Sequence, residues 1–153
     1  MRCATLCLIL SLCLGTGCTS SVPNGKVVKV LPHLLDLKGR HTTSPSLYDR
    51  DAYQAHLRQH PAECSGIRYD VEWQAKTTTG TVKIILEVRG EAHGAAAREK
   101  KIVSELKPGR GWKRWSGVEL SGSDFKEFGQ ITAWRVTLWD GDKLLGEQKS
   151  FLW

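Results

Sequence analysis

From residue 67 onward, apolar and polar positions trade places at the two-residue period of a strand. Ile67, Tyr69, Val71 and Trp73 alternate with Arg68, Asp70 and Glu72, and Val82, Ile84, Leu86 and Val88 surround Lys83, Glu87 and Arg89. This period puts one set of side chains in a core and the other in water. Thr77-Thr78-Thr79-Gly80 supplies a turn between the two runs, which predicts that they form a hairpin. The same period returns where Trp134, Val136 and Leu138 alternate with Arg135 and Thr137, so Trp134 is expected in the core with its aliphatic neighbours. Asp140-Gly141-Asp142 then offers the positive backbone φ of a tight turn, and residues 131–153 read as two long antiparallel strands. A three-residue loop would pair Leu138 with Leu144, Arg135 with Glu147 and Ile131 with Phe151, and is the preferred register. A two-residue loop would pair Val136 with Leu145. Phe151, Leu152 and Trp153 are expected to cap the core.

The remaining segments fill in around these strands. A β-branched run at residues 27–31 stops at Pro32 and resumes at 33–37, which predicts an edge strand broken by proline. Ser46 and Asp49 have the spacing of a capping pair, and residues 51–60 follow as a short helix with Tyr53, Leu57 and His60 on one face, ended by Pro61. That helix is expected to lie across one edge of the sheet. Residues 90–97 form a small-residue loop, and 100–106 a charged strand of the kind found at edges. Residues 107–111 are a loop by their Pro and Gly, 114–120 a further strand, and 121–128 a turn or two of helix closed by Gly129. About seven strands with regular turns give an all-β sandwich.

Composition changes this picture chiefly at the N-terminus. The 153 residues, 41% of them hydrophobic, suit a single domain. Arg2, an apolar run over residues 4–14 and the small residues before Cys18 have the order of a secretory signal, and the run is too short to span a bilayer comfortably. Cys3, Cys7, Cys13 and Cys18 belong to this segment, which leaves Cys64 as the one cysteine of the body and excludes a disulfide framework. Removing Arg2 leaves 21 basic against 16 acidic side chains, a net charge of +5. That balance favours anionic surfaces weakly and lacks the dense basic patch of a nucleic-acid binder.

Gly15-Thr16-Gly17-Cys18 resembles the lipobox of bacterial lipoproteins, although the leucine usual three residues before the cysteine stands one place earlier, at Leu14. The resemblance implies lipidation of Cys18 and, from Thr19, sorting to the outer membrane on its periplasmic side; cleavage after Gly17 without lipidation would give a secreted or periplasmic protein. The chain then divides into a signal at 1–17, a lipidated cysteine and polar tether at 18–25, and a β-domain at 26–153. The order of strand, short helical corner and terminal hairpin resembles the end of immunoglobulin-like domains. This implies a mainly β, antiparallel immunoglobulin-like β-sandwich, with a short helix before its first clear hairpin. The chain is also similar to uncharacterised small envelope lipoproteins, a resemblance that brings no activity.

Two groups of side chains are candidates for chemistry. His56, His60 and Cys64 recur at intervals of four and offer imidazoles and a thiolate to zinc, or a base beside a nucleophile. Pro61 interrupts the helix between them, so helix packing for the histidines and a structural role for the cysteine are the expected readings. Lys107, Arg110, Lys113 and Arg114 interleave with Trp112 and Trp115 on a glycine-supported stretch. Tryptophan there can stack on a sugar or sit at a membrane interface while the cations hold phosphate or carboxylate; the bland alternative is one plugging tryptophan and solvated charges. The resulting expectation is a non-enzymatic, membrane-tethered interaction or accessory module of the cell envelope, needing no cofactor. Its partners are the membrane through the lipid, and an envelope protein or anionic glycan. A carbohydrate-binding module using Trp112 and Trp115 is the alternative, and an enzyme of unknown type the second alternative.

Overall fold

The computed structural model describes residues 24–76, 80–91, 97–107 and 113–153. Cys18, Arg110 and Trp112 lie outside the described residues, as do 77–79 of the expected turn. Seven strands form two antiparallel sheets packed face to face. In chain order they are β1 (Gly25–Asp36), β2 (Cys64–Ala75), β3 (Val82–Glu91), β4 (Ala97–Leu106), β5 (Arg114–Ser121), β6 (Gln130–Asp140) and β7 (Lys143–Lys149). Helix α1 (Leu47–Gln59) and a 3-10 turn (Pro61–Glu63) stand between β1 and β2, and helix α2 (Gly122–Phe128) between β5 and β6. One sheet has the order β1-β2-β5, the other β4-β3-β6-β7. This two-sheet antiparallel sandwich of seven strands, with a short helix ahead of its hairpins, is the all-β architecture that the alternation and the regular turns predict. Among the described residues no helix is long and apolar enough to cross a membrane.

The inward residues of both sheets make one core. Tyr69, Val71 and Trp73 of β2 face Ile84, Leu86 and Val88 of β3 and Val136 and Leu138 of β6, all essentially without solvent contact. Phe128 closes the core from the end of α2. Trp73 also satisfies its indole N–H, which donates to Ser116 Oγ at 2.9 Å.

Several local expectations are corrected. β2 and β3 form no hairpin: β2 pairs with β1 and β5, whereas β3 pairs with β4 and β6. Alternation defines each strand's buried face, but both strands can bury that face from opposite sheets. Pro32 does not break β1, which runs on as an edge strand and pairs Pro32 with Tyr69. Pro32 shares strand parity with Leu34, whose N–H points outward to Gln54 Oε1 at 2.8 Å, so the missing N–H costs no ladder bond. Trp134 is only partly buried at the rim of the core, with its ring 6.0 Å from that of Tyr69. Phe151 and Leu152 are exposed rather than capping, and Trp153 lies under the guanidinium groups of Arg89 and Arg135.

Neither hairpin register is the observed one. Asp140 pairs with Lys143 around Gly141-Asp142, with Gly141 at φ 59°. Trp139 pairs with Leu144 in the same register, and a bulge then shifts the ladder, so that Leu138 pairs with Gly146 and Arg135 with Lys149, while Ile131 pairs with Gly90 of β3. The bulge turns Leu145 into the core and leaves Leu144 outside. It also brings Gly146 against β1, where a Cβ would stand 2.8 Å from Lys26 Cα. Gln148 Nε2 donates to Val28 O at 2.9 Å, beside the irregularity that lies between Val27 and Lys29 in β1. The two sheets therefore close on each other along the β1–β7 edge.

Candidate functional site

The strand registers gather the chain's basic segment and its point of entry at one end of the sandwich. Gly25 pairs with Ala75, and Lys76 N–H donates to Asn24 O at 2.7 Å. At the same end Trp73 pairs with Arg114, Val82 with Leu106, Lys83 with Trp139 and Asp140 with Lys143. The two sheets are joined there by the contact of Gly25 with Leu145. Residues 24, 76, 107, 113 and 141–142 therefore share one end of the molecule. Lys26, Lys76, Lys107, Lys113 and Lys143 are all exposed there.

Of the predicted surface residues, Lys107, Lys113, Arg114 and Trp115 are described, and all four lie at or beside this end. Trp115 pairs with Glu72 on the outer face of β5 and is 53% exposed. Lys113 Nζ reaches Glu72 Oε1 at 3.4 Å, alongside it. Arg114 turns the other way, its guanidinium 5.3 Å from the Trp73 ring. The outer face continues as a charged ladder, with Arg68 between Asp70 at 2.7 Å and Glu119 at 3.4 Å, lying over Gly117. An exposed indole beside cations and carboxylates can stack on a sugar ring while its neighbours hold hydroxyls. Lys26, Lys76 and Lys143 escaped sequence reasoning because only strand register brings them to residues 107–115.

The second candidate group separates on folding. His56 and His60 sit at the C-terminal end of α1 with rings stacked at 4.1 Å between centroids. His60 is exposed rather than buried in an apolar stripe; Leu57 and Gln54 are the buried residues of that helix. Cys64 is buried, and its thiol donates to the carbonyl oxygens of Leu57 at 3.4 Å and His60 at 3.8 Å. Burial, and then the charge of Glu63, push its pKa up, the opposite of what activates a nucleophile or a metal-binding thiolate. Instead Glu63, carried by the 3-10 turn that Pro61 starts, brings Oε2 to 2.9 Å from His56 Nε2. Sequence reasoning missed Glu63 because the expected break at Pro61 is in fact a turn that folds the chain back onto the helix end. Comparison of the chain with protein-family models, with curated proteins and with solved structures finds no match to any of them.

Proposed function

We propose that the chain is a non-enzymatic envelope module, tethered through a lipidated Cys18 to a bacterial outer membrane on its periplasmic side, whose tether-proximal end rests against an anionic surface. The supporting observation is the gathering of exposed Lys26, Lys76, Lys107, Lys113 and Lys143 at the end of the sandwich where the chain enters β1. The seven residues 18–24 reach at most about 25 Å when fully extended, so an anchored domain keeps this end close to the bilayer. Lysines beside an anionic leaflet contribute about 1 kcal/mol each at low separation, and salt screens them over about 8 Å under physiological conditions. The contact is therefore weak but measurable at low salt without the anchor, and the anchor strengthens it by holding the lysines within that distance.

The exposed indole of Trp115 supports a second reading, a glycan-binding module in which Trp112 is its companion. Two measurements test the pair. Mass spectrometry of the mature N-terminus is expected to find a lipid on Cys18, and an unmodified residue 18 removes the tether. Retention of the Cys18→Ser chain on anionic vesicles is expected to fall with salt and with Lys107→Gln, Lys113→Gln and Lys143→Gln combined. Retention on cell-wall polysaccharide that depends on Trp115 instead favours the glycan reading, and binding to neither rejects this surface.

A further inference from the structure

We propose that the C-terminal end of α1 is a surface site for a divalent transition-metal ion, formed by His56, His60 and Glu63. One ligand atom from each of the three residues lies within 4.8 Å of the other two. His56 and His60 are one helical turn apart and project from the same face, with rings stacked at 24° to each other. Glu63 is delivered from outside the helix by the 3-10 turn, at 2.9 Å from His56. Ligands about 2.0–2.1 Å from a metal and adjacent in its coordination sphere stand about 3.0–3.4 Å apart. The His56–Glu63 pair already has nearly that spacing. The remaining separation asks only for small rotations of exposed side chains.

The protonation pattern of His60 also fits. Its Nδ1 lies 2.8 Å from the carbonyl oxygen of His56. A carbonyl only accepts, so Nδ1 carries the proton and Nε2 of the neutral ring presents a lone pair to solvent. An N–H bonded to a backbone carbonyl is the usual outer support of a metal-binding imidazole. Two imidazoles and a carboxylate suit zinc, copper or nickel rather than magnesium or calcium. Three protein ligands on an exposed surface leave open positions for water or a further ligand. Cys64 takes no part, since its thiol faces inward to Leu57 O.

Isothermal titration of the full chain with zinc chloride in a non-chelating buffer tests the site. One equivalent of zinc is expected to be lost, or weakened at least about tenfold, in His56→Ala and in His60→Ala, with Glu63→Gln also weakening it. Cys64→Ser and His41→Ala are expected to leave that equivalent in place. The visible spectrum of the cobalt-loaded chain is expected to show nitrogen and oxygen ligation without a thiolate charge-transfer band at this site. Circular dichroism melts of each variant keep loss of binding separate from loss of fold. Zinc binding unchanged in all three ligand variants, with the fold intact, overturns the proposal and leaves His56 and Glu63 as a surface ion pair. Loss of that equivalent in Cys64→Ser, with the fold intact, overturns it too and returns the cysteine to the ligand set.

Discussion

Tyr53 of α1 donates its hydroxyl hydrogen to Oδ2 of Asp36, the last residue of β1, at 2.7 Å. The same carboxylate accepts from Arg40 Nε at 2.9 Å through Oδ2, and from the backbone N–H groups of Lys38 and Arg40, each at 2.8 Å, through Oδ1. One side chain therefore closes the turn after β1 and ties the helix to the sheet. Hydrogen bonds to charged groups contribute about 1.5–3 kcal/mol each. Tyr53→Phe is expected to lower stability by about that amount in urea unfolding, and Asp36→Ala by more, because it releases every partner at once. Equal losses would mean that the tyrosine bond carries the whole effect.

Acid should weaken the fold in two stages. Burial alone would raise the pKa of Asp36, but the hydrogen bonds from Arg40, Tyr53 and Lys38 outweigh it and hold the carboxyl well below the usual carboxylate range. For His33, burial is the largest influence and lowers the pKa, only partly opposed by Asp70, with the nearby cations His41, Arg50 and Arg68 lowering it further. A group with a depressed folded pKa stabilises above its unfolded pKa and loses that contribution as pH falls. His33 should therefore start to cost stability below its ordinary value of 6.5, and Asp36 below about 4. Melting temperature against pH in His33→Gln should lose the upper stage and keep the lower one.

Gln54 is nearly buried and completes the outer edge of β1. Its Oε1 accepts from Leu34 N–H at 2.8 Å, while Nε2 donates to Leu34 O at 2.9 Å and to His41 O at 2.8 Å. The amide thus does for Leu34 what a neighbouring strand would do, and covers an edge that could otherwise pair with another chain. Gln54→Glu keeps the acceptor and loses both donated bonds, and Gln54→Leu loses all three. Both changes are expected to lower stability, by about 1–3 kcal/mol for each buried group left without a partner, with a further loss in Gln54→Glu at neutral pH because its carboxylate faces the two carbonyl oxygens. Amide exchange of Leu34 should accelerate in Gln54→Leu and stay slow in Gln54→Glu.

How far the sequence reveals this molecule depends on whether a feature is local. The faces of β2 and β3 were legible because burial writes itself into a two-residue period, and the helix start at Ser46 because its side chain accepts from Asp49 N–H three residues on. Sheet membership was not legible, since Val71 and Ile84 look alike whichever sheet they come from. The bulge at Leu145 depends on Gly146 passing against Lys26, a contact between distant segments with no local signature. At the candidate sites the tryptophan and lysine cluster at 107–115 could be seen as a run, whereas Lys26, Lys143 and Glu63 join their groups only through the fold.

Three of the described tryptophans should separate by burial. Trp73 is 2% exposed and bonded to Ser116, Trp134 is partly buried at the core's rim, and Trp115 is 53% exposed. Trp73→Ala is expected to cost about 3–5 kcal/mol through lost transfer energy and the cavity left behind. Trp134→Ala should cost less, and Trp115→Ala about 0.5 kcal/mol or less, as for other surface changes. Chemical unfolding of the three variants gives the order directly; a larger loss for Trp134 than for Trp73 would place the centre of the core nearer β6 than β2.

Tyr69 carries the most unusual polar group of the core. Its side chain is wholly buried, and its hydroxyl has no hydrogen-bond partner among the described residues. Burial alone pushes the phenol pKa well above its ordinary value of 10, because an anion there would meet no compensating charge or donor. The ring earns its place through packing against the edge of Trp134, at an interplanar angle of 62°. A desolvated hydroxyl without a partner costs about 1–3 kcal/mol, whereas removing it leaves the ring contacts intact. Tyr69→Phe is therefore expected to leave the protein as stable or to raise its stability by about 1 kcal/mol, and Tyr69→Ala to destabilise it by about 3–5 kcal/mol. Ultraviolet titration should show one phenol ionising only as the chain unfolds in alkali, and that component should vanish in Tyr69→Phe. A clear loss of stability in Tyr69→Phe would mean that the hydroxyl has a bonding partner, and the excess over neutrality would measure that bond.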